Sequence, residues 1–187
     1  MEDCKIVDLY WARDEDAIVQ TQIKYERYLT KIAFNILSDH EDSAESVNDT
    51  YLRAWNSMPD NRPDLLSTYL GKICRRLAID MYRKKTADKR GGSEYEVSLQ
   101  ELAENGIEPA GTFDNDSEYK QLGSLISDYL RTISEEQRTV FVSRYFHCDP
   151  LKDICARTGF SESKIKSMLF RVRGGLKKYL EKEGYTI

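Results

Sequence analysis

Residues 149–180 read DPLKDICARTGFSESKIKSMLFRVRGGLKKYL, and they decide the fold class. Asp149 can cap a helix whose first residue is Pro150, a position where a missing N–H does no harm. Leu151, Ile154 and Cys155 give that short helix an inner face, and Gly159 supplies the left-handed residue that ends it. Ser161 is placed to cap a second helix, with Phe160 and Ile165 as a hydrophobic staple. Ile165, Leu169, Val172, Leu176 and Leu180 form its apolar stripe, while Lys164, Lys166, Arg171, Arg173, Lys177 and Lys178 occupy the other faces. Two short helices about a glycine turn, the second polar and basic at its start, follow the helix-turn-helix plan. Such a helix enters the major groove and offers its first turns to base edges and phosphates. Ser161, Glu162, Ser163, Lys164, Lys166, Ser167, Arg171 and Arg173 are the candidates for that role. An ordinary helical hairpin with a solvated basic face would share this pattern. The pair Gly174-Gly175 costs roughly 2 kcal/mol of helix propensity, which predicts a bend or fraying after Arg173.

Upstream, the same helical period recurs. Leu122, Leu125, Ile126, Tyr129 and Leu130 form one amphipathic helix. Ser134 with Gln137 opens a second, which carries Val140, Phe141, Arg144 and Tyr145. Near the N-terminus, the spacing of Ile18, Tyr25, Tyr28, Leu29, Ile32, Ala33 and Ile36 predicts a helix over 14–37. Ser38-Asp39-His40-Glu41-Asp42 interrupts it with capping residues suited to a new helix start, and the stripe of the next helix is Ala44, Val47, Tyr51, Leu52, Ala54 and Trp55. After the loop around Pro59 and Pro63, a third runs over about 65–85. No strand-like alternation occurs, so the predicted fold is all-α. It consists of two small helical domains, 1–90 and 120–187, joined by an acidic linker over 91–119. The linker is rich in glycine and acids, with a short helix predicted over 96–104.

Charge is distributed in the same four blocks. Residues 1–68 hold 7 basic and 14 acidic groups, and 69–90 hold 8 and 2. Residues 91–119 hold 8 acids and no base, and 120–187 hold 13 bases and 8 acids. Two basic blocks alternating with two acidic ones indicate a chain that meets nucleic acid at two places. The first is the helix with Tyr69, Lys72, Arg75, Arg76, Tyr82, Arg83 and Lys84, where cations and aromatic planes suit a single strand. The preceding loop, with Asn61 and Arg62, offers amide and cationic groups to an extruded base. Packing tyrosines under a coat of arginines would look alike. Glu45, Asp49 and Arg53 stand four apart beside Asn48, as an intrahelical ladder or as a docking face for a basic partner.

Catalysis finds little footing. The two histidines, His40 and His147, read as exposed loop residues, and no nucleophile motif or phosphate-binding glycine loop is present. Cys4, Cys74, Cys148 and Cys155 lack metal-ligand spacing and read as small buried thiols, so neither metal nor cofactor is expected. No apolar run approaches bilayer length and no secretory signal opens the chain, so a cytoplasmic location without membrane insertion is expected.

In this order the blocks resemble the sigma factors of the extracytoplasmic-function (ECF) type. The family pattern D-A-E-D-x-x-Q-E-x-F-L-x-x-W is matched over residues 42–55, with Ser46 for an acid and Asn48 for glutamine. The pattern W-L-x-x-I-A-x-N-x-x-x-D-x-x-R is matched over residues 69–83, with Tyr69 for tryptophan and Arg76 for asparagine. In the C-terminal block Ile133-Ser134 stands for L-P, Arg138 and Phe141 match, and Asp153-Ile154-Cys155 stands for E-I-A. Ile165-Lys166-Ser167, Leu169, Arg171 and Arg173 match the V-K-S-x-L-x-R-A-R pattern. The resemblance implies a non-enzymatic, alternative sigma factor that directs promoter-specific initiation. Asp42, Glu45, Asn48, Asp49 and Arg53 would dock on the beta-prime clamp helices of core RNA polymerase. Residues 61–84 would read the melted −10 element, and the helix from Ser161 the −35 duplex. The beta flap and an anti-sigma factor are further implied partners. A stand-alone helix-turn-helix regulator is the alternative, and it leaves the Tyr- and Arg-rich helix unexplained.

Overall fold

The computed structural model describes residues 1–86, 93–103 and 116–184. Among the described residues there are α-helices and one 3-10 turn, and no strand. They divide into two units, Met1–Ser93 and Glu94–Ile187.

The N-terminal unit holds α1 (Asp3–Trp11), α2 (Asp16–Leu37), α3 (His40–Ser57) and α4 (Leu66–Thr86), with a 3-10 turn at Met58–Asp60. Helices α2, α3 and α4 pack pairwise, and α1 lies against α2 and the turn. Their shared core is built from Leu29, Ile32, Ile36, Ala54, Met58, Leu66 and Leu70, all essentially inaccessible. Ser43, Ser46, Thr50 and Ala54 recur at helical spacing on the buried side of α3 and keep its contacts close. Thr50 donates its hydroxyl to the Ser46 carbonyl (2.8 Å), so its burial leaves no orphan donor. Within the stretch 38–42 it is Asp39 that caps α3, accepting from the Glu41 and Asp42 amides. His40 is the first residue of that helix rather than a loop residue, and its ring stacks on Phe34.

Helix α1 was not anticipated. It is tied down by Asp3, whose carboxylate accepts from Lys24 Nζ and the Tyr25 hydroxyl, each at 2.6 Å. Partial burial works against the Asp3 charge, but these donors hold its pKa below the ordinary aspartate value. Tyr10, fully buried, meets Thr21 hydroxyl to hydroxyl at 2.9 Å.

The C-terminal unit holds α5 (Glu94–Ala103), α6 (Asp116–Thr132), α7 (Glu135–Tyr145), α8 (Leu151–Thr158) and α9 (Glu162–Lys182). Tyr129, Val140, Phe141, Ile154, Ile165, Leu169, Val172, Leu176 and Leu180 make its core. Ser134 and Gln137 form the predicted reciprocal cap on α7. The helix inside the acidic stretch is longer than expected at its start and groups with this unit; residues 104–115 of that stretch lie outside the described residues.

Two local expectations are corrected. Pro150, in extended conformation, is itself the cap of α8, and the Asp149 carboxylate instead pairs with Arg157 at 2.9 Å. Helix α9 runs unbroken through Gly174-Gly175. A Cβ on Gly175 would lie 2.2 Å from the Tyr129 hydroxyl, which donates to the Val172 carbonyl at 3.1 Å. The glycine is the notch in which that tyrosine sits. Gly174 has open space around it, and nothing in the structure explains it.

Cys74 and Cys148 are buried as expected, whereas Cys4 is exposed and Cys155 half-buried. Burial pushes the Cys74 thiol up to about 11, and the thiol faces the Leu29 carbonyl. A thiol reagent at neutral pH is therefore expected to label Cys4 in the native chain and Cys74 only after denaturant is added. Mass spectrometry of the labelled peptides reads this directly.

Candidate nucleic-acid interface

In the C-terminal unit, Gly159 at φ 72° ends α8 and returns its amide to the Cys155 carbonyl at 2.9 Å. Two residues later Ser161 caps α9, accepting from the Lys164 amide at 3.3 Å. Lys164 Nζ sits 3.3 Å from the Phe160 ring centroid, and Phe160 packs on the core as the staple requires. These restraints set the angle at which α9 leaves the turn.

Once Ile165, Met168, Leu169 and Val172 are buried, the 3.6-residue period places Ser163, Lys166, Ser167, Phe170 and Arg171 outside. Ser161, Glu162 and Lys164 are exposed as well. Lys166 pairs with Glu162 at 2.6 Å across one helical turn, a surface pair that an incoming phosphate can displace at small cost. Lys166, Ser167, Phe170 and Arg171 line an open groove of about 720 Å³.

Arg173 departs from the expectation. It is 8% exposed, its guanidinium donates to the Tyr145 hydroxyl at 2.5 Å, and it stands 3.7 Å from Glu101. Position 173 falls on the same side as Val172 and Leu176, so its charge is turned into the unit. Phe170, 63% exposed, is the residue the sequence reading passed over. It lies four positions after Lys166 and off the apolar stripe, which was the available signal.

In the N-terminal unit, the Tyr69 and Ser57 hydroxyls meet at 2.7 Å across the α3–α4 junction. Arg53, Ser57, Tyr69, Ile73, Arg76, Leu77 and Asp80 surround a pocket of about 230 Å³ there. It unites Arg53, read as a docking residue, with Tyr69 and Arg76, read as strand-binding residues. Asn61 donates to the Ser57 carbonyl at 2.8 Å. Arg62 is paired with Asp8 and lies over the Trp11 ring at 5.5 Å, so α1 braces the loop before α4. Lys72, Arg76, Arg83 and Lys84 are exposed along α4, with Arg75 and Tyr82 half-buried. Glu45, Asn48, Asp49 and Arg53 share the exposed face of α3 with Leu52, 58% accessible. Asp42 is set apart from them: half-buried, it pairs with Lys85 and ties the start of α3 to the end of α4.

Comparison with known proteins matches the Sigma-70 region 2 family over residues 23–87 and the Sigma-70, region 4 family over residues 124–174. The two matches, in that order, span well over half of the chain. It also aligns with the ECF RNA polymerase sigma factor SigW of Bacillus subtilis, at 23% identity over 89% of this chain and 90% of that protein. The RNA polymerase sigma-E factor of Streptomyces avermitilis is 23% identical over 82% of this chain and 79% of its own length. The ECF RNA polymerase sigma factor SigX of Bacillus subtilis is 23% identical over 86% and 83%.

The chain is a sigma factor of the ECF type. As such it is an alternative sigma factor that directs promoter-specific transcription initiation, and its family binds core RNA polymerase and promoter DNA. The region 2 match begins after α1 and covers most of α2, all of α3 and α4, and the loop between them. The region 4 match ends at Gly174, immediately before the glycine that seats Tyr129. Among the described residues no helix is long and apolar enough to cross a membrane, and no group of three or more His, Cys, Asp or Glu is placed to hold a metal ion.

Proposed function

We propose that this sigma factor divides its work among three surfaces and performs no chemistry of its own. Residues 1–90 act as the core-docking and −10 domain, 91–119 as the linker, and 120–187 as the −35 domain. Glu45, Asn48, Asp49 and Arg53 on α3, flanking exposed Leu52, dock on the beta-prime clamp helices; Asp42 orders the end of that face through Lys85. Asn61 and Arg62 in the loop, with Tyr69, Lys72, Arg75, Arg76, Tyr82, Arg83 and Lys84 on α4, hold the melted −10 strand. Ser161, Glu162, Ser163, Lys164, Lys166, Ser167 and Arg171 read the −35 duplex, and Arg173 supports that helix from behind. The beta flap and an anti-sigma protein complete the partners, and the site of action is the cytoplasm.

The observation that carries this reading is the exposed cationic and polar face of α9, fixed by a capped turn over a packed core. A run-off transcription assay with core polymerase and a library of promoter-like DNA tests it. New initiation should appear at a shared two-block motif. Lys166→Ala and Arg171→Ala should each lower it about tenfold, the equivalent of ~1.4 kcal/mol of lost contact. Initiation at full strength in both variants would remove α9 from the recognition step. Tight duplex binding without any initiation would point to a conventional regulator.

A further inference from the structure

Helix α5 has three acids, Glu94, Glu96 and Glu101, and no base. It is held on the C-terminal unit by a cluster that surface charge pairing does not account for. Arg144 is 1% exposed, and its guanidinium donates to Glu94 at 2.7 Å and to Glu101 at 2.8 and 3.2 Å. Tyr145 donates its hydroxyl to Glu101 at 2.9 Å, and Arg173 stands 3.7 Å away. Two cations and a hydroxyl thus converge on one carboxylate, while Leu102 packs against the core beside it. The same Glu101 borders the groove lined by Lys166, Ser167, Phe170 and Arg171; the Lys166 ammonium is held protonated mainly by its bond to Glu162, with Glu101 adding a smaller pull in the same direction.

We propose that Arg144, Tyr145 and Arg173 form an intramolecular receptor for the acidic helix α5, and that α5 seated there competes with duplex DNA for the face of α9. This rests on the reading of α9 as the duplex-binding helix. Seated, α5 places anionic charge where the DNA backbone must come; released, it leaves two arginines whose charges are no longer matched and which then favour phosphate. The receptor fits a carboxylate-bearing helix, since a guanidinium fork and a phenolic hydroxyl both donate to the planar acceptor that Glu101 presents.

Two measurements on the full chain test it, using a duplex that carries the upstream block of the recovered promoter motif. Fluorescence anisotropy should show Glu101→Gln binding about three- to tenfold more tightly than the unaltered chain at low salt, the gap closing as salt rises. Hydrogen exchange on the unaltered chain needs no variant to fold. Amides of residues 94–103 should exchange faster at saturating duplex than in the free protein. Unchanged or greater protection of that segment in the complex overturns the proposal, as does weaker binding by a folded Glu101→Gln chain. Absence of duplex binding by both proteins also overturns it. The −35 reading survives that last outcome if run-off initiation still depends on Lys166 and Arg171, so the two failures are separable.

Discussion

Arg144→Met is expected to destabilise the C-terminal unit by about 2–3 kcal/mol while leaving the N-terminal unit unchanged. The side chain is 1% exposed and spans three acceptors, Glu94, Glu101 and the Asp149 carbonyl at 3.0 Å. Burial alone works against its charge, and the two carboxylates more than offset that, raising its pKa. Removing one member of a fully buried pair costs about 3–5 kcal/mol. Here the carboxylates are 39% and 22% accessible, so water recovers part of the loss. Glu101 also keeps Tyr145 and Arg173. Arg144→Lys should fall between the two proteins, because an ammonium cannot span all three acceptors. Both tryptophans, Trp11 and Trp55, lie in the N-terminal unit, so their fluorescence reports that unit alone. The expected signature is a far-UV circular dichroism transition at lower denaturant, with the tryptophan transition in place. A shift of the tryptophan signal by the same amount would mean that the two units unfold together.

Much of this arrangement was legible in the sequence because it depends on residues close together in the chain. The caps at Ser134 and Ser161 and the turn at Gly159 need only a few neighbours, and each occurs as expected, while the start of α3 falls within the stretch 38–42 that was read as a helix start. The stripes of α2 and α9 follow from one period, whereas in α3 the expected stripe residues Ala44 and Leu52 lie exposed and Ser43, Ser46 and Thr50 take the buried side. What was not legible depends on partners far away. Arg173 reads as one more cation on a basic helix until Tyr145 and Glu101 are placed 28 and 72 positions upstream. Asp149 has the composition of a cap, but Arg157 takes its carboxylate. Helix α1 has a short apolar face, Ile6, Val7 and Tyr10, whose meaning depends on the surface it covers. The same limit holds in the candidate site: Lys166 and Arg171 could be chosen from pattern, whereas Phe170 became visible once the buried side of α9 was fixed.

Gly174-Gly175 separates propensity from packing within two residues, and the second large effect follows from it. Either glycine replaced by alanine gains up to ~1 kcal/mol of helix propensity. At Gly174 nothing opposes that gain, so Gly174→Ala should stabilise the C-terminal unit by about 0.5–1 kcal/mol. At Gly175 the new methyl falls 2.2 Å from the Tyr129 oxygen and 3.2 Å from the ring carbon that bears it. The ring cannot swing freely: Tyr129 is 9% exposed, its hydroxyl is bonded to Val172, and Tyr179 lies 5.6 Å away. Overpacking of this kind costs about 1–3 kcal/mol, and displacing the hydroxyl forfeits about 1 more. Gly175→Ala is therefore expected to lose about 2 kcal/mol net, opposite in sign to its neighbour. Tyr129→Phe removes the clashing atom, so adding it to Gly175→Ala should recover about half of the loss. Denaturant melts of the four proteins in that cycle measure the coupling between the two positions. Additive effects would mean that the notch is incidental and that the helix, rather than the tyrosine, requires the glycine.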